Sequence, residues 1–129
     1  PTACAVASAN IRILRDEGII DQVGNDTGPY LQQCWQTLAD HPLVGETRGV
    51  GFLGALELVK VKETREVFDP PGRAGILCRD AALQNGFIMR AVGDSMIISP
   101  PLIMSRDQID DLVALASKSL DDTLAALRN

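Results

Sequence analysis

The side chain best placed for chemistry in this sequence is Arg90, which stands between two short apolar runs, Phe87 to Met89 and Met96 to Ile98. A guanidinium is permanently charged, and burying it without a partner is very costly, so its surroundings call for an anion. That anion is either a carboxylate of the protein, such as Asp94, or a ligand carboxylate that accepts two parallel hydrogen bonds from the planar fork. The runs are joined by Val92-Gly93-Asp94-Ser95, which has the turn residues that a hairpin or a broken strand requires.

Other residues capable of chemistry read as structural. His41 is the sole histidine and precedes Pro42 at a helix end, which makes it a cap or a solvated residue rather than a catalyst or ligand. Arg48-Gly49-Val50-Gly51 lacks the third glycine of a dinucleotide fingerprint and the Gly-Lys-Ser/Thr ending of a phosphate loop. It also precedes a strand instead of following one, so close backbone packing or a bulge is the better reading. Arg48, Glu57 and Asp94 are expected to be fold residues. Lys60 and Lys62 border a charged loop, and Lys118 lies on an amphipathic stretch, so all three read as solvated. Cys4, Cys34 and Cys78 are far apart, with no Cys-x-x-Cys pair, which argues against structural zinc and for packing roles in a reducing, cytoplasmic setting.

A chain of 129 residues with 46% hydrophobic content suits one domain with a modest core and excludes disorder. A net charge of −5 without a basic cluster argues against a nucleic-acid surface. No apolar run is long enough to span a membrane, and no signal peptide is visible. The sequence opens at Pro1 without an initiator methionine, and a helix-like run begins at once, which reads as a piece of a longer protein.

The elements follow from periodicity. Residues 1–17 form a helix with Val6, Ala9, Ile13 and Ile20 near one face, ended or loosened by Gly18. Its first ten residues carry no charge, so this part is expected to be covered on nearly every side, by further sequence or a partner subunit. A second helix is expected from Asn25 or Thr27 to Ala39, with Leu31, Cys34, Trp35 and Leu38 buried, and Asp40-His41-Pro42 ends it. Residues 52–59 alternate like a strand, and residues 60–72 form a charged loop ending in Asp69-Pro70-Pro71-Gly72. A third helix runs from Arg73 to Gln84, stopped by Asn85-Gly86. Ser105-Arg106-Asp107-Gln108 has the capping-box pattern and opens a last helix to about Leu127. The order predicts an α+β fold, a small and mostly antiparallel sheet with helices against one face. Residue by residue, that is either a binding module or an enzyme subdomain.

Three stretches carry a resemblance: Pro1 to Ala7, His41 to Val59, and Ile88 to Leu102. Together and in this order they resemble the C-terminal part of class III aminotransferases, pyridoxal-phosphate enzymes of fold type I that include ω-amino acid:pyruvate and putrescine-type transaminases. The resemblance covers essentially the whole chain. It implies that residues 1–129 are the C-terminal small domain and that residues 1–17 end the helix connecting the two domains. It implies transfer of an amino group from an amine or ω-amino acid to a keto acid such as pyruvate, by a homodimer that uses neither nucleic acid nor membrane.

The cofactor lysine, the aspartate facing the pyridine nitrogen, the stacked aromatic residue and the phosphate-binding threonine would all lie upstream of Pro1. The chain alone is therefore expected to hold no catalytic, cofactor-binding or metal residue, to bind no pyridoxal phosphate and to be inactive. One functional position falls inside it. Arg90 matches the family's mobile arginine, which turns in to bind a substrate carboxylate and swings away for amines lacking one. The alternative is a free-standing α+β module that binds a small molecule or mediates association without catalysis.

Overall fold

Ser105 sets the start of the longest helix. In the computed structural model, which describes residues 1–128, Ser105 Oγ accepts the Gln108 amide at 3.3 Å. The Gln108 side chain in turn accepts the Ser105 amide at 3.0 Å, completing the capping box. Helix α5 (Arg106–Leu127) buries Ile109, Leu112, Ala116 and Leu120, spaced at three and four, as one face of a 3.6-residue period requires. Helix α4 (Arg73–Gln84) packs beside it and has the boundaries its sequence predicts.

Four antiparallel strands, β1 (Val44–Val50), β2 (Leu53–Leu58), β3 (Arg90–Val92) and β4 (Ser95–Ile98), form one sheet in the order β1-β2-β4-β3. Leu56, Leu58, Met96 and Ile98 face the helices, whose side of the core includes Leu31, Trp35 and Leu120. At Gly54 the sheet has to admit an indole: an added Cβ would lie 2.9 Å from Trp35 Nε1, which donates to the Ala55 carbonyl at 3.3 Å. The result is the expected α+β layer of helices on one sheet face.

Three boundaries differ from expectation. The glycine-rich approach 44–50 is itself a strand, the edge strand β1, joined to β2 through Gly51 (φ +54°) and Phe52. Arg48 to Val50 pair in regular register with no bulge, and the close packing expected there is seen at Gly49, where an added Cβ would clash with the Leu53 carbonyl; the one register shift of β1 lies between Val44 and Glu46. The run Phe87 to Met89 is outside the ladder, because the Phe87 amide bonds the Ala82 carbonyl at 2.9 Å and so completes the end of α4; pairing begins at Arg90.

The third difference concerns the N-terminal helices. Helix α1 (Thr2–Asp16) ends near Gly18 (φ +65°), and the chain re-enters helix at once. It continues as α2 (Ile19–Gln22), a π-helical turn (Val23–Thr27), α3 (Gly28–Gln36) and a 3-10 turn (Thr37–Asp40). The expected second helix therefore starts earlier, at Ile19. Leu31, Trp35 and Leu38 are buried as foreseen, whereas Cys34 is half-buried. No residue of α1 is buried, and Val6, Ile11 and Ile13 are exposed. Among the described residues no helix is long and apolar enough to cross a membrane.

Candidate functional site

The sheet face turned away from the helices is open, and strand register fixes what stands on it. Arg48 pairs with Ala55, Ala55 with Ile97, and Ile97 with Arg90, so two arginines close one cross-strand row at opposite edges. At about 4.8 Å per strand their Cα atoms are roughly 14 Å apart. The adjoining row on this face is Glu46, Glu57, Ser95 and Val92.

Arg48 is fully engaged within the chain. Its guanidinium reaches Glu57 Oε2 at 3.0 Å and Glu46 Oε1 at 3.5 Å. It thereby sits between two carboxylates that face each other across β1 and β2 and would otherwise repel. Ser95 Oγ donates to the same Glu57 oxygen at 2.7 Å. These contacts agree with a structural role for Arg48 and Glu57.

Arg90 is different. It is exposed, and it makes no ion pair or side-chain hydrogen bond among the described residues. Because β3 is a three-residue edge strand and Arg90 points off the open face, the charge stays in water instead of being buried among its apolar sequence neighbours. It borders a cleft of about 580 Å³ whose walls include Phe87, Ile88, Ile97, Pro100 and Met104. A shallower apolar depression over Leu53, Val92 and Ile97 continues across the sheet, and neither is lined by a carboxylate. The guanidinium is thus a cation at the margin of apolar surface with its hydrogen-bonding fork free.

Asp94, the candidate protein partner for Arg90, is committed elsewhere. Its carboxylate accepts the Gly72 amide at 2.7 Å and the Gly75 amide at 2.9 Å, while its carbonyl accepts the Leu58 amide at 2.9 Å. Sequence reading missed these contacts because the partners are 22 and 19 residues away. One signal was available: Gly72, the residue before α4, has no side chain to cap the helix, so its free amides need an acceptor from elsewhere.

The remaining titratable groups are structural. His41 Nδ1 accepts the Leu43 amide at 3.2 Å, and Nε2 lies 3.3 Å from Asp121. Burial lowers its pKa below the ordinary histidine value, and Asp121 opposes that shift in part. Burial pushes the Cys78 thiol up to about 11, far from a reactive thiolate. All three cysteines are free, and no cluster of metal-ligating side chains occurs among the described residues.

The class III aminotransferase family model, described as "Aminotransferase class-III", matches residues 1–120, and the chain belongs to that family. It is similar to the putrescine–pyruvate aminotransferase of Pseudomonas aeruginosa, with 62% identity over 127 residues, covering 98% of this chain and 28% of that protein. It is also similar to the diaminobutyrate–2-oxoglutarate transaminase of Halomonas elongata, with 37% identity over 127 residues, 96% of this chain and 27% of that protein. Among solved structures, an omega transaminase from Pseudomonas jessenii in complex with PMP superposes with a TM-score of 0.90 at 34% identity, covering 98% of this chain and 28% of that one. A transaminase with L-Ala gives 0.91 at 37% identity, covering 98% of this chain and 30% of that one. The chain spans between a quarter and a third of the length of these relatives.

The family depends on pyridoxal phosphate, and the lysines here can be tested against the role that cofactor needs. A Schiff-base lysine needs a depressed pKa in an apolar pocket. Lys60 instead pairs with Glu66 at 2.5 Å, which raises its pKa. Lys62 bonds the Ala39 and His41 carbonyls, and Lys118 bonds Asn85 and Asp122. Engaged in this way, none of the three lysines fits the Schiff-base role.

Proposed function

We propose that this chain is the C-terminal small domain of a pyridoxal-phosphate-dependent transaminase that moves an amino group from an amine or ω-amino acid to a keto acid such as pyruvate. Residues 1–17 are the end of the helix joining this domain to a larger one, a reading supported by its uncharged first ten residues and by the lack of any buried residue in α1. The complete enzyme is a homodimer that carries its cofactor on residues outside this chain, and the isolated chain is inactive. Three free cysteines and the absence of a membrane-crossing helix among the described residues fit a cytoplasmic enzyme.

The role of this chain is recognition of the acceptor. Arg90 receives the keto-acid carboxylate through two charge-assisted hydrogen bonds. The observation that carries this reading is a free guanidinium on the open sheet face, beside apolar surface and without a carboxylate of its own, in a chain 62% identical to a putrescine–pyruvate aminotransferase. An arginine in that position is solvated when turned outward and paired when turned inward, so neither state leaves a buried charge alone. The same pocket can therefore take a keto acid and then an amine that has no carboxylate. The test is steady-state transamination by the complete protein and its Arg90→Ala variant, comparing kcat/KM for pyruvate with kcat/KM for the amine donor.

A further inference from the structure

We infer that Asp94 is a positioning residue for Arg90, acting by tying the β3–β4 turn to the start of α4. The inference rests on the reading of Arg90 as the carboxylate-binding residue and deepens it.

Little holds Arg90 in place. Strand β3 has three residues and one neighbouring strand, β4, so one side of its backbone has no ladder partner. The hairpin closes through Gly93 and Asp94, with Val92 opposite Ser95 and Gly93 at a φ of +60°. Asp94 anchors that turn on two sides. Its two carboxylate oxygens accept the Gly72 and Gly75 amides at 2.7 and 2.9 Å, and its carbonyl accepts the Leu58 amide of β2 at 2.9 Å. A carboxylate at a helix N-terminus is favoured both by the free amides and by the helix dipole.

The fit leaves no room for an alternative. A Cβ added to Gly75 would lie 2.0 Å from the Gly93 carbonyl oxygen and 3.2 Å from the Asp94 Cα. The turn therefore rests directly on the helix backbone. Asp94 lies four residues from Arg90 along a hairpin that is otherwise an edge, so a shift of the turn is transmitted to the strand that aims the guanidinium. Bidentate recognition of a carboxylate tolerates little misplacement.

The experiment uses the complete enzyme and four variants: Asp94→Asn, Gly75→Ala, Arg90→Ala and the Asp94→Asn/Arg90→Ala double variant. Asp94→Asn keeps one oxygen acceptor and the side-chain shape. It is expected to raise KM for pyruvate about tenfold while kcat/KM for the amine donor stays within about threefold. Gly75→Ala, which pushes the same turn from the helix side, should give the same split. In the Arg90→Ala background Asp94→Asn should add nothing to the pyruvate defect, because both changes remove one interaction.

Equal losses for both substrates, or additive effects in the double variant, would overturn the inference and leave Asp94 a purely structural cap. A failure of Arg90→Ala itself to separate pyruvate from the amine would instead remove the reading of Arg90. The two failures are thus distinguishable within one set of measurements.

Discussion

Leu56 and Leu53 lie three residues apart on β2, and the chain uses the two sheet faces on which they stand in opposite ways. Leu56 is wholly buried against the helices, while Leu53 is 53% exposed. The helix-facing side holds the fold together through apolar contact with α3, α4 and α5. The open side contributes little burial and instead presents a row of four residues that ends in an arginine at each edge. Those two arginines differ in turn. Arg48 is neutralised by Glu46 and Glu57, and Arg90 has no counter-ion among the described residues. A sheet only one layer thick thus separates the residues that give stability from the residue proposed to recognise substrate.

Mutations should follow that division, and the first test is the most severe. Leu56→Ala is expected to cost about 2–5 kcal/mol of stability, because it leaves a cavity in a packed core. Leu53→Ala should stay within about 0.5 kcal/mol, as exposed substitutions do. Denaturant unfolding of both variants checks the pair, and similar losses would erase the proposed distinction between faces. Next in size, Arg48→Ala should cost at most about 1 kcal/mol, since its ion pairs are solvent-exposed and screened. It should also leave the ratio of kcat/KM values for pyruvate and amine unchanged. A shift in that ratio would show that both ends of the row take part in recognition.

The smallest effect concerns pH. His41 has a folded-state pKa below its unfolded value, so the unfolded chain binds more protons in the interval between the two. Its contribution to stability is therefore intact above the ordinary histidine range. It is lost as pH falls from about 6.5 toward the depressed folded value, with a slope below about 1.4 kcal/mol per pH unit. His41→Gln should flatten that part of the stability profile, measured by thermal unfolding between neutral and mildly acidic pH. Because His41 sits away from the open face, catalytic discrimination should not change with it.

Legibility in the sequence tracked how local the determining contact was. Helix α5 was readable because its cap, its 3.6-residue stripe and its end lie within one continuous segment. Helix α4 and the reversal at Gly93-Asp94 were readable for the same reason. Strand β1 was not, because its outer half is exposed at the sheet edge and Gly45 and Gly49 break the alternation, so the β-branched Val44, Thr47 and Val50 do not line up on one face. The helical run from Ile19 was obscured by Gly18 and by a π-helical turn through Gly24-Asn25-Asp26. At the site, Arg90 stood out by its charge among apolar neighbours. That Asp94 would hold α4 rather than Arg90 depended on contacts spanning about twenty residues, which no local pattern encodes.

Carboxylate recognition by Arg90 is tested by the Arg90→Ala variant of the complete enzyme, assayed with pyruvate varied at fixed amine donor and then with the amine varied at fixed pyruvate. Loss of this arginine should lower kcat/KM for pyruvate about 10- to 100-fold, the loss expected for hydrogen bonds to a charged group, while kcat/KM for the amine stays within about threefold. Equal losses for the two substrates, or an undiminished value for pyruvate, would contradict it.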